Sequence, residues 1–172
     1  MKTIKTVLLA ISFAFIMNSC EGPMGPPGQD GEALIGSIFE FEGDFLPSNN
    51  YKLYYTFPSN FKIYDTDVVL VYILWDVVNL NGKNTDVWRL IPQTLVYDEG
   101  ILQYNFDYTI KDVSVFIETT MPFNQLLPAE TQDQVFRIAV LPADFVASKK
   151  SGELNDLSYI LNAPELKMSI IK

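Results

Sequence analysis

Every second residue from Leu102 to Ile110 is apolar: Leu102, Tyr104, Phe106, Tyr108 and Ile110. Gln103, Asn105, Asp107 and Thr109 lie between them. A period of two sends one set of side chains to a core and the other to water, so this stretch predicts a strand with one wet face. Val113, Val115 and Ile117 repeat the pattern after a polar Lys111-Asp112 turn, and Tyr51, Leu53, Tyr55 and Phe57 show it earlier. Residues 68–75 (VVLVYILW) are nearly all apolar. Their β-branched and aromatic content favours a strand over a helix. Without alternation, that strand is predicted to be central and covered on both faces. Phe136, Ile138 and Val140 predict another strand, stopped by Pro142, and Leu166, Met168 and Ile170 a last one after Pro164. Helix is scarce: a turn or two at 143–148 and at 154–161, and a short one in the proline-bounded loop 122–128.

The turns are equally legible. Asn81-Gly82 separates two strand-like runs, and Asn-Gly is the strongest short hairpin signal. A two-residue loop there predicts Trp75 opposite Trp88 and Ile73 opposite Leu90. Asp98-Glu99-Gly100 predicts a three-residue loop with glycine in the left-handed region. About eight short strands with Gly, Pro and Asn turns predict an all-β fold for residues 34–172. The expected architecture is an antiparallel β-sandwich, with a β-barrel as the alternative.

The first 33 residues follow different rules. Lys2 and Lys5 precede an apolar run from Val7 to Met17, then Asn18-Ser19-Cys20. A positive start, about a dozen apolar residues and a small residue at the cut describe a secretory signal peptide over 1–19. The run is short of the roughly 20 residues a spanning helix needs. Cys20 is the only cysteine of the chain. Its place directly after Ser19 resembles the lipobox of a bacterial lipoprotein, with cleavage between Ser19 and Cys20. The resemblance implies lipidation of Cys20 and membrane anchoring through that lipid. Two acyl chains already suffice for stable attachment. Met17 departs from the usual leucine of the box, and Asn18 from the usual small or β-branched residue.

From Gly22 to Ala33 glycine occupies every third place through four triplets, with several prolines. Only glycine fits the axis of a collagen triple helix, so the period has physical meaning. Four triplets are few for an isolated triple helix. Residues 20–33 are therefore expected to be a lipidated cysteine plus a polyproline-like spacer on a monomer, with a short trimeric collar as the alternative.

Charge and missing chemistry narrow the function. The chain carries 12 basic and 21 acidic residues, and loss of Lys2 and Lys5 takes the formal charge from −9 to −11. Such a surface excludes nucleic acid as a natural partner. Histidine is absent. That removes Ser-His-Asp and Cys-His catalysis and the common zinc sites. No cofactor motif is present, and no catalytic or metal-binding residue is assigned.

Two constellations stand out. Asp76, Asn79, Asn81, Gly82, Asn84 and Asp86 crowd one hairpin, where oxygen ligands can hold calcium. However, Val77 stands where an EF-hand loop has its first acid, and turn chemistry accounts for the asparagines. The chain is also rich in aromatics, with nine tyrosines and two tryptophans. Exposed aromatic platforms on a sandwich stack sugars. Tyr54, Tyr64 and Tyr72 fall out of phase with the inferred core or in connecting segments. Together with Trp75 and Trp88 they are the candidate ligand-binding residues.

The lipobox, the Gly-Pro-x triplets and the segments at 67–75 (DVVLVYILW), 86–94 (DVWRLIPQT), 102–106 (LQYNF), 131–136 (TQDQVF) and 141–145 (LPADF) occur together. In this combination the chain resembles a group of small collagen-like lipoproteins of Gram-negative bacteria. The resemblance implies an outer-membrane location and transfers Cys20 as the one functional residue; it carries no activity. The expectation is a non-enzymatic envelope lipoprotein that binds or organises an envelope protein or glycan. Carbohydrate recognition is the alternative, and a carboxylate-based hydrolase a remote one.

Overall fold

A computed structural model describes residues 34–150 and 152–171. The signal peptide, Cys20 and the triplets of 22–33 lie outside the described residues. The strands are β1 (Leu34–Gly43), β2 (Lys52–Thr56), β3 (Val68–Leu80), β4 (Lys83–Leu90), β5 (Gln93–Tyr97), β6 (Gly100–Tyr108), β7 (Asp112–Thr119), β8 (Gln134–Leu141) and β9 (Leu166–Ile171). Three short helices follow β7: α1 (Pro128–Thr131), α2 (Ala143–Ala147) and α3 (Leu157–Leu161). The strands form two sheets, in the orders β4-β3-β8-β1-β9 and β2-β7-β6-β5. Packed face to face, they make a β-sandwich.

The ninth strand is β1, which the alternation of later segments did not single out. It also brings the one departure from antiparallel pairing among the described strands. β1 runs parallel to β9, with Leu34 beside Leu166 and Phe39 beside Ile171. Parallel neighbours need a long connection between them, and here nearly the whole domain supplies it.

The inter-sheet core gathers Phe39, Val71, Ile73, Phe136 and Ile138 from one sheet and Leu102, Tyr104, Val113 and Val115 from the other. Burying each such side chain stabilises by about 1.5–3 kcal/mol. Phe39 meets Phe61 edge-on at 4.7 Å and Phe57 at 5.3 Å. Edge-to-face contact is the favoured aromatic geometry, because the positive ring edge meets the negative face.

A second core lies on the other side of the five-stranded sheet. There Ile38, Tyr72, Ala139 and Leu141 pack against Phe145 of α2 and Leu157 and Ile160 of α3. Asp156 caps α3 by accepting from the Ser158 N–H at 2.8 Å. Hydrogen bonding to Ser158 holds its carboxyl below the usual range. The second layer explains the unbroken apolar run of β3: both faces are covered, as predicted.

The Asn81-Gly82 hairpin forms, and both residues have positive φ, 54° and 83°. A two-residue turn that matches strand twist needs such angles. The pairing beyond it departs from the prediction. Leu74 pairs with Trp88 and Asp76 with Val87, so Trp75 is the extra residue of a β-bulge. Hence Ile73 lies opposite Arg89, and Tyr72 opposite Leu90. The Asp98-Glu99-Gly100 loop is also shorter than predicted, since Gly100 already pairs with Tyr97. Gly100 has φ 150°, and a Cβ there would strike Thr120 Oγ1. Glycine is required at this position by crowding as well as by backbone angle.

Candidate functional site

The five candidate aromatics do not form one surface. Tyr54 lies on β2, on the uncovered face of the four-stranded sheet, and is 66% exposed. The Lys52 ammonium stands 5.4 Å from its ring centre. Tyr64 is 57% exposed in the β2–β3 connection, with Lys62 over its ring at 4.6 Å. Its N–H donates to Asp67 Oδ2 at 2.9 Å, which makes Asp65-Thr66-Asp67 a turn before β3.

Tyr72 is the clear correction. It is fully buried in the second core, where its hydroxyl donates to the Leu154 carbonyl at 2.5 Å. Burial pushes its ionisation well above the usual tyrosine range, with the Asp156 charge adding to the effect. Its phase misled because a strand covered on both faces has no wet set of positions.

The two tryptophans are half-buried on opposite faces of the five-stranded sheet. Trp88 packs on the helical side beneath Arg137, whose guanidinium lies 4.1 Å from its ring. Arg137 Nε also donates to Glu40 at 2.8 Å. Trp75 packs on the inter-sheet side, with the Arg89 guanidinium 4.0 Å from its ring. The solvent-facing row of aromatics expected for stacking a sugar chain is therefore not assembled from these residues.

The asparagines of the 76–86 hairpin serve the turn. Asn79 Oδ1 accepts the Gly82 N–H at 2.9 Å, and Asp86 lies 4.0 Å from Arg137. Among the described residues, no three Asp, Glu, His or Cys side chains converge as a metal site would require.

A different group of side chains does converge, at one end of the sandwich where β3, β5, β6 and α1 meet. Glu130 of α1 is only 8% exposed. Its Oε1 accepts from the Tyr97 hydroxyl, and its Oε2 accepts from the Leu127 N–H at 2.6 Å. The Tyr104 hydroxyl donates to the Glu130 carbonyl at 2.8 Å. A glutamate at the third helical position that reaches back to the N-cap amide is a known way to fix a helix start. Here it also ties the helix to two strands of the four-stranded sheet. The Glu130 hydrogen bond holds the Tyr97 proton and pushes that phenol up to about 12, with burial contributing less. Tyr104 is pushed higher still, first by burial and then by the Glu130 charge.

Tyr97 and Glu130 form a wall shared by two cavities. One, of about 260 Å³, lies between the sheets and is lined by Trp75, Leu95, Tyr97, Tyr104, Glu130 and Asp133. The other, of about 430 Å³, extends towards Glu99, Met121 and Gln125. Of the sequence candidates only Trp75 belongs here. Tyr97 and Tyr104 were missed because they alternate in phase with the core, and packing alone accounts for that pattern. Pro128 with Glu130 two residues later was the available signal, since it marks a capped helix start.

No protein-family model, curated protein or solved structure matches this chain.

Proposed function

We propose that this protein is a lipid-anchored binding module of the bacterial outer membrane, which acts by holding a ligand or partner and not by catalysis. The anchor rests on the signal run and Cys20; the acidic composition suits a domain beside a negative cell surface. The observation that carries the binding role is the aromatic-lined cavity between the sheets, a concave site in which Glu130, Asp133 and Gln134 stand beside Trp75, Tyr97 and Tyr104. Both oxygens of its buried carboxylate already accept hydrogen bonds, so Glu130 serves as a brace in preference to an acid or base.

A glycan-binding reading keeps one specific support. Tyr54 stands exposed on a sheet face that also carries Gln103, Asn105 and Asp107. Amide and carboxyl groups beside an aromatic ring suit sugar hydroxyls.

Two experiments test the proposal. In a Gram-negative host, Cys20→Ala or globomycin treatment (an inhibitor of lipoprotein signal peptidase) is expected to block processing and release the protein from the membrane fraction. Unchanged processing and retention would refute the anchor. A glycan array probed with the purified protein then separates the readings: signal lost in Tyr54→Ala supports glycan recognition, and a blank array removes it.

A further inference from the structure

We propose that the cavity walled by Trp75, Tyr97 and Tyr104 is a receptor site for a small organic cation, an amine or quaternary ammonium group held over Glu130 and Asp133. The proposal deepens the binding-module reading and is independent of the lipid anchor.

Charge provides the first argument. Glu130 is nearly sealed from water, yet among the described residues no lysine or arginine nitrogen lies within 4.0 Å of its carboxylate. Its two hydrogen-bond donors, Tyr97 and Leu127, are neutral. Buried carboxylates are ordinarily paired with a cation, because hydrogen bonds from neutral donors offset only part of the lost hydration. Asp133, exposed at the rim of the same cavity, adds a second negative charge and makes no ion pair among the described residues. Its backbone N–H donates to Asp44 Oδ1 at 2.8 Å, which adds a third acid to this end of the domain. A cation entering the cavity would add a positive partner to a carboxylate whose two oxygens accept only from neutral donors.

The walls provide the second argument. Three aromatic residues line one cavity with two acids. Aromatic rings with carboxylates nearby are the arrangement that recognises ammonium ligands, because the ring face is electron-rich and the cation is desolvated against it. Trp75 already attracts a cation, since Arg89 lies over its ring at 4.0 Å. Arg89 lines a separate cavity with Trp88 and Gln93, whereas Trp75 lines this one.

Size provides the third. At about 260 Å³ the cavity falls just below the roughly 300 Å³ at which drug-sized pockets begin. It suits a small headgroup.

Position in the fold supports preorganisation. Trp75 is fixed by the β-bulge, Tyr97 and Tyr104 by adjacent strands, and Glu130 by its cap. A rigid site loses little entropy on binding.

Calorimetric titration of the full chain in neutral-detergent micelles tests the idea. Choline and tetramethylammonium are the probes, and 3,3-dimethylbutanol is the uncharged isostere of choline. Saturable choline binding is expected, with the isostere about tenfold weaker or worse, as cation–π and charge contributions require. Trp75→Leu should lose about tenfold in choline affinity, and Asp133→Asn several-fold. Because Glu130→Gln also weakens the α1 brace, the exposed Asp133→Asn variant carries the electrostatic test. Equal binding of choline and its isostere would overturn the proposal, as would no binding of either ammonium probe. A negative ammonium titration with a positive glycan array would leave the binding-module reading standing and end this one.

Discussion

The two sheets share one core but differ in what lies behind them. The five-stranded sheet is covered again on its outer face by α2 and α3, through Phe145, Leu157 and Ile160. The four-stranded sheet turns its outer face to water. There Gln103 Nε2 donates to Thr94 at 2.8 Å, Asn105 Nδ2 donates to Glu118 at 2.9 Å, and Lys52 lies 3.5 Å from Asp107. The difference is written in the strands themselves. β3 and β8 lack alternation because both their faces are buried, whereas β6 alternates because one face is wet. Side-chain pattern thus reports how many layers cover a strand as well as that it is one.

This contrast sets a gradient of effects. Phe136→Ala, between the sheets, should cost about 3–5 kcal/mol in denaturant unfolding. Phe145→Ala tests whether the helical layer is equally integral. The same range is expected, and a cost below about 1 kcal/mol would make that layer an ornament on a two-layer sandwich. Tyr72→Phe should cost about 1–2 kcal/mol, because it leaves the Leu154 carbonyl without its donor. A neutral result would mean that water replaces the hydroxyl and that the layer is looser than its packing implies.

Loss of the α3 cap in Asp156→Ala should cost about 1 kcal/mol. Against these, Gln103→Ala on the wet face should stay within about 0.5 kcal/mol. A larger loss would show that the outer polar ladder matters as much as a core.

Alkaline pH sharpens the comparison at the cavity. Tyr97 ionises at about 12 in the fold against 10.0 unfolded. Its phenol keeps its proton longer when folded, so the stability it contributes is complete below pH 10 and is lost as pH rises from 10 to about 12. Unfolding followed across that window should show a steeper decline in the native protein than in Tyr97→Phe. Identical profiles would mean that the Glu130 hydrogen bond does not persist in solution.

Much of the fold was legible because it follows from local rules. The Asn81-Gly82 turn requires positive φ at both residues, and few other pairs tolerate that. Pro142 and Pro164 mark where strands β8 and β9 stop and start. The alternation of β6 and β7 marked Leu102, Tyr104, Val113, Val115 and Ile117 as core, whereas Tyr108 and Ile110, in the same phase, are exposed where the sheet ends. The candidate site was less legible. The burial of Tyr72 has no local signal, because it depends on α2 and α3, far along the chain. An unbroken ladder from the Asn81-Gly82 turn puts Trp75 opposite Trp88, and the bulge between Leu74 and Asp76 shifts the register by one. Glu130, Tyr97 and Tyr104 carry no motif in common.

Residue order alone fixed the all-β class, the hairpins and the strand buried on both faces. These depend on backbone angles and side-chain period, which act over a few residues. The parallel β1–β9 pair, the second core and the meeting of Trp75, Tyr97 and Glu130 were set by three-dimensional packing. Each joins segments tens of residues apart, and such contacts depend on which surfaces remain to be buried once the local elements have formed.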